Sequence, residues 1–209
     1  MQSYIDSTSE RSDALRTAYA HAEEFSVPAP DTATGQLLTS LTAAATLHDT
    51  DKPQAIAITP AAAVAGLYLL EGLPESGILS CIDPEAEHQN SARQAFRTAG
   101  IKHSRVRFLP SQPLDVIGRL APDSYQMIFA EVPTMDLLTL IKAAWPLLTT
   151  GGCLVLANSL LDGTVADETR TDRATAIARE ADQFVRTELA DAVVARLPLG
   201  SGLTVLTKK

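Results

Sequence analysis

The chain has 209 residues, 45% hydrophobic and 20% charged, which suits one α/β domain with a short appended arm. A formal charge of −8 and the lack of any Lys or Arg run exclude a nucleic-acid surface, since phosphate binding requires a basic face. No apolar run reaches membrane-spanning length and no charged segment with a cleavable apolar core opens the chain, so a cytoplasmic location and no membrane partner are expected.

In chain order, residues 1–26 read as a polar helix with Ala14, Leu15, Ala18, Tyr19 and Ala22 on one stripe. "SVPAPD" (26–31) breaks it, and Asp31 or Thr32 caps a second helix running to His48 and ending near "DTDKP". Residues 1–30 are thus expected as a helical arm and 31–209 as the domain. Strands and helices then alternate: "AIAIT" (55–59) precedes a helix to about Gly72, and "GILSCID" (77–83) precedes "EHQNSARQAFRTAG", closed by Gly100. "RVRFLP" (105–110) leads to a short helix over "PLDVIGRLA", "QMIFAEV" (126–132) to "MDLLTLIKAAWPLL", and "GGCLVLAN" (151–158) to "RATAIAREADQFVRTEL". "AVVARLPLG" and "GLTVLTKK" close the chain as a hairpin.

Continuous apolar runs such as "GCLVLA" fit strands buried on both faces. Five strand–helix units and a hairpin predict a doubly wound, mostly parallel α/β sheet with helices on both faces. Ligands of such sheets bind beyond the carboxyl ends of the strands, which directs attention to Thr59, Asp83, Pro110, Glu131 and Asn158. Cys81 and Cys153 lie in apolar runs and read as buried free thiols. His21, His48, His88 and His103 show no ligand spacing, and His88 reads as a solvated residue opening a helix.

From "PDTATGQLL" to "GLTVLTK", through "GLYLLEGLP", "IDPEAEHQNSARQAFRTAGI", "SRVRFL", "DSYQMIF", "LLTTGGCLVLAN" and "DGTVAD", the sequence resembles the small bacterial O-methyltransferases related to catechol O-methyltransferase. The resemblance implies a Rossmann-like, seven-stranded sheet with the last strand antiparallel, and S-adenosylmethionine as cofactor. It places Ala57, Thr59, Pro60, Ala65, Asp83, Pro84, Ser111 and Pro113 at the cofactor, with Asp83 receiving the two ribose hydroxyls. The plain alternative for Asp83 is a cap on the helix beginning near Glu85.

The chain departs from the family's E-V-G-T-G-T-G pattern: Ala57 stands for the glutamate, and Thr59, Ala61 and Ala63 for the glycines. A left-handed backbone would disfavour each alanine by ~1 kcal/mol, so weak cofactor binding is expected. The family holds a Mg²⁺-type ion between an Asp after strand four and an Asp-Asn pair after strand five. Here Glu131, Ala157 and Asn158 stand in those places, and Thr134 replaces a lysine. One carboxylate and one amide make a poor divalent site, so no metal is expected unless Asp162 folds back to help. Glu131 and Asn158 are then the candidates for handling the acceptor.

Two readings follow. One is an O-methyltransferase acting on a hydroxyl of a small, aromatic acceptor. The other is a catalytically weak or inactive protein of the same fold, kept as a ligand-binding or dimer-partner module. A dehydrogenase is disfavoured because no G-x-G-x-x-G follows the first strand. The arm's apolar stripe, with little sheet of its own to cover, together with the resemblance, predicts a homodimer.

Overall fold

The computed structural model describes residues 1–47 and 52–209, so His48 and the expected end of the second helix lie outside the described residues. The strands are β1 (Gln54–Ile58), β2 (Ile78–Ile82), β3 (Val106–Leu109), β4 (Tyr125–Ala130), β5 (Leu148–Leu156), β6 (Ala192–Leu197) and β7 (Leu203–Lys208). They form one seven-stranded sheet in the order β3-β2-β1-β4-β5-β7-β6. β7 runs antiparallel to both β5 and β6, and the other pairings are parallel. This is the doubly wound sheet expected from the alternation.

Residue alternation along each strand divides the core between two faces. Ala55, Ala57, Leu79, Cys81, Met127, Phe129 and Val155 face helices α3 (Thr32–Ala45), α4 (Ala62–Gly72) and α5 (Ala86–Thr98). Ile56, Ile58, Ile82, Ile128, Leu154 and Leu156 face α7 (Leu137–Ala144) and α8 (Arg173–Glu188). The helices of the first face approach closely where side chains are missing. A Cβ on Gly35 would run into the Tyr68 ring, and one on Gly66 would stand 2.5 Å from the Phe96 ring. Both cysteines are buried and free, and burial pushes the Cys81 thiol up to about 12, which keeps it protonated and inert.

The arm differs from the expected single helix. It divides into α1 (Gln2–Thr8) and α2 (Asp13–Glu24), because Ser12 starts the second by accepting a hydrogen bond from Leu15 N at 3.2 Å. The apolar stripe is real: Ala14, Leu15, Ala18 and Ala22 are buried. It lies against α4 and α5 of its own chain. The Tyr19 hydroxyl ties the arm to the carbonyl of Pro30 at 2.9 Å. The stripe therefore supplies no uncovered face for a second subunit. Asp31, rather than Thr32, caps α3, accepting from Thr34 N at 2.7 Å.

Candidate active site

Strand register brings the expected residues together. Ile58 pairs with Ala130 and Ala130 with Leu156, so the chain leaves β1, β4 and β5 at adjacent points. Strand order reverses between β1 and β4, and Thr59 and Glu131 stand on either side of that switch point. They are bonded directly: the Thr59 hydroxyl donates to Glu131 Oε2 at 2.9 Å. The same hydroxyl accepts from Ala61 N at 3.1 Å. Across the site, Asn158 Nδ2 donates to Glu131 Oε1 at 3.0 Å, and Asn158 Oδ1 accepts from Ser201 N at 3.2 Å.

Asn158 holds a left-handed backbone, φ 54°, a conformation that Asn tolerates better than most residues. Its amide orientation is set by its partners, since a backbone N–H can only donate and a carboxylate can only accept. One chain of hydrogen bonds thus runs from the β1–α4 turn through the carboxylate to the β6–β7 hairpin. Burial raises the Glu131 pKa above the usual carboxylate range, while the bonds from Thr59 and Asn158 oppose the shift.

Glu131 and Asn158 lie in a cleft of about 250 Å³. Leu199 supplies its apolar wall with the buried Phe129 and Leu203 behind it, and Pro28, Ala29 and Pro30 pass over it from the segment between arm and α3. Asp162 does not line this cleft. It is exposed, and its backbone N–H is bonded to the Ser201 carbonyl at 2.9 Å.

The turn from β1 into α4 needs no glycine. None of residues 59–63 has a positive φ, and Ala61 sits at φ −90° as the residue before the helix. The left-handed penalty expected for the alanines is therefore not incurred. Ala57 and Ala65, expected at the cofactor, are fully enclosed in the core and have no surface open to a ligand. The reason is the alternation: Ala57 points into the α4 face, and Ala65 lies on the side of α4 that covers it. Thr59 is also buried, with its hydroxyl spent on Glu131 and Ala61 N, whereas Pro60 is half-buried.

At the end of β2, Asp83 is 5% exposed. Its Oδ1 accepts from Glu85 N at 2.6 Å, and Oδ2 faces His88 Nδ1 at 3.0 Å. Gln89 Nε2 donates to the Asp83 carbonyl at 2.7 Å. Asp83 therefore braces the turn before α5, not the helix end itself, whose N-cap position is Glu85. Among the described residues each carboxylate oxygen has one partner, which leaves each a second lone pair. His88 is not the freely solvated residue expected; it turns back onto the carboxylate. The signal was the short Asp83–His88 spacing in "DPEAEH", which places both at the strand-to-helix corner. Pro84 is exposed, Ser111 N closes a turn onto the Leu109 carbonyl at 2.9 Å, and Pro113 opens the short helix α6 (Pro113–Val116).

The divalent ion implied by the resemblance does not fit these residues. Among the described residues no three His, Cys, Asp or Glu side chains converge to hold one. The two residues left from the ligand set bind each other instead. Asn158 presents its N–H₂ to Glu131 and turns its only ligand-type oxygen to Ser201 N. A hard cation needs several oxygens aimed at one point.

The sequence profile of the family described as O-methyltransferase matches residues 18–209. The chain belongs to the O-methyltransferase family. A candidate O-methyltransferase from Mycobacterium marinum is 34% identical over 192 residues, covering 90% of this chain and 82% of its own. A crystal structure of a Corynebacterium glutamicum protein is 56% identical with a TM-score of 0.92, covering 98% of this chain and 94% of that one. The O-methyltransferase TomG of Streptomyces achromogenes, solved with S-adenosylmethionine, shares the fold at a TM-score of 0.86 and 22% identity, covering 100% of this chain and 95% of that one. Among the described residues no helix is long and apolar enough to cross a membrane.

Proposed function

We propose that the protein transfers a methyl group from S-adenosylmethionine to a hydroxyl of a small, single-ring acceptor seated in the cleft at Glu131 and Asn158. The observation that carries this reading is the linked chain Ala61 N–Thr59–Glu131–Asn158–Ser201 N, which spans the switch point of the sheet. Two residues that depart from the family pattern, Thr59 and Glu131, pair with each other and with the retained Asn158 in one satisfied network, which supports a working site over an eroded one. The cofactor supplies a methyl group on a sulfonium, so the protein's own task is chiefly positioning. Asp83 would receive the ribose hydroxyls through its free acceptor sites, beside Pro60 and the exposed Pro84, with Ser111 and Pro113 along the neighbouring loop. The cleft would admit a flat ring between Leu199 and the Pro28–Pro30 segment, with its hydroxyl on Glu131.

One observation favours the second reading, a binding module with a weak cofactor site: His88 already occupies one face of Asp83. Calorimetric titration with S-adenosylmethionine, its demethylated product and NAD separates the two. Binding of the first two and not of NAD, lost by at least tenfold in Asp83→Asn, supports the transferase. No binding of either adenosyl ligand refutes it. A homodimer and a cytoplasmic location belong to this reading by resemblance and composition alone. With the arm folded onto its own chain, a dimer would need another surface.

A further inference from the structure

We propose that Glu131 takes the place of the metal ion: it receives the acceptor's hydroxyl and its proton, so transfer proceeds without a divalent cation and needs only one hydroxyl on the ring. This rests on the transferase reading above and deepens it at the same site. Three observations carry it. Among the described residues two carboxylates line the cleft; Asp31 caps α3 through one oxygen, and Glu131 stands at the switch point of the sheet beside Asn158. The two Glu131 oxygens are fixed from opposite sides by Thr59 and Asn158, yet among the described residues each has a single donor and so keeps one acceptor site. The residues that would complete an ion's shell are apolar or turned away, Ala157 by its methyl group and Asn158 by its bond to Ser201 N.

A chelated ion selects acceptors with two adjacent oxygens, because both bind it. A lone carboxylate makes no such demand. One hydroxyl donating to one fixed oxygen is enough to orient a ring. The step balances without further partners. The hydroxyl proton passes to a Glu131 oxygen, the oxygen's electron pair forms the new C–O bond, and the methyl C–S bond breaks with its pair left on sulfur. The sulfonium charge is neutralised and the proton later leaves Glu131 for solvent. A carboxylate held from both sides at the cleft is placed to act as general base.

The test uses the purified full chain, wild type and Glu131→Gln. In the variant the amide can accept from Asn158 and donate to Thr59, so folding is preserved. Binding of 4-methylphenol and of 4-methylanisole, which has no hydroxyl, is measured in the presence of the demethylated cofactor. The phenol should bind roughly tenfold or more tightly to the wild type than to the variant, as for a hydrogen bond to a charged group. The anisole should bind both alike. Equal binding of the phenol to both proteins overturns the proposal without touching the transferase reading.

Mn²⁺ titration followed by electron paramagnetic resonance gives a second arm. No stoichiometric site is expected, and one that disappears in Glu131→Gln overturns the proposal. Where monophenols are methylated, EDTA should leave the rate unchanged. Glu131→Gln should lower kcat by about 10²–10⁴ with the affinity for S-adenosylmethionine intact. Transfer abolished by EDTA, or transfer confined to catechols, overturns it while leaving the transferase reading in place. Failure of both adenosyl ligands to bind refutes that reading instead.

Discussion

Thr59→Val is the perturbation that tests the network most directly. The two side chains have nearly the same shape, and Thr59 is 2% exposed, so the change removes a hydroxyl without opening a cavity. Two bonds go with it. Ala61 N, on a residue 3% exposed, loses its acceptor, and leaving a buried donor unpaired costs about 1–3 kcal/mol. Glu131 Oε2 loses its donor at 2.9 Å, and a hydrogen bond to a charged group contributes about 1.5–3 kcal/mol. Partial exposure of Glu131 reduces the second figure, so a loss of roughly 2–4 kcal/mol is expected. At this chain length each kcal/mol moves Tm by about 2–4 °C, which makes the change easy to see by circular dichroism.

The pH dependence gives the sharper reading. Burial raises the folded pKa of Glu131, so its contribution to stability is fully present below the unfolded pKa and lost as pH rises through the folded one. The bond from Thr59 lowers that pKa and limits the loss. In Thr59→Val the loss should be larger, and the gap between variant and wild type should widen from about pH 4 to pH 7. The part due to Ala61 N stays constant with pH. Urea unfolding at several pH values measures both. A difference below about 1 kcal/mol, or one that does not change with pH, would show that the hydroxyl does not support an ionised Glu131.

Restoring glycine to the turn should harm the protein: with no positive φ to relieve, Ala63→Gly inside α4 is expected to cost about 0.5–1 kcal/mol, and unchanged or higher stability by thermal unfolding would refute this. His88→Ala frees Asp83 Oδ2, 3.0 Å away, and should tighten binding of the demethylated cofactor several-fold by calorimetry; weaker binding would mean that His88 assists the ribose acid. Gly66→Ala drives a Cβ to 2.5 Å from Phe96, and overpacking of that kind costs about 1–3 kcal/mol, which chemical denaturation will measure.

Much of the fold was legible because the strands are short apolar runs between clear breaks. "MIFA" in β4 and "LVL" in β5 are buried on both faces, as continuous apolar runs imply. The arm was harder: a stripe states that a face is covered, not by what, and α2 covers α4 and α5 of its own chain. At the site, Glu131 and Asn158 were visible from their places at strand ends. The role of Thr59 was not, because the residue reads as a lost glycine until the register sets it beside β4. Comparing each position with a family pattern scores Thr59, Glu131 and Ala157 as separate losses. Only three-dimensional pairing shows that the first two form one hydrogen bond. His88 escaped for a related reason, since its partner lies across a corner outside helical periodicity.

Ala157→Asp isolates what the chain lacks for a metal. Ala157 lines the cleft with Glu131 and Asn158 and follows β5, its N–H held by the Ala130 carbonyl at 2.9 Å. The backbone there is fixed, so a carboxylate at this position enters the space where the resemblance implies the ion. Two carboxylates would then repel across the cleft, and a divalent ion would relieve both. The Asn158 amide would have to leave Ser201 N before its oxygen could join, at the cost of a bond of 3.2 Å. The variant should therefore be less stable than the wild type in EDTA, regain stability with millimolar Mn²⁺, and show a Mn²⁺ signal absent from the wild type. Calorimetry should find the affinity modest, since reorienting Asn158 opposes binding. If Ala157→Asp binds no Mn²⁺ at millimolar concentration, the missing carboxylate is not what keeps the ion out. The obstacle is then the network itself, with Thr59 and Asn158 holding Glu131 away from any shared point, and Thr59→Gly added to Ala157→Asp should release it.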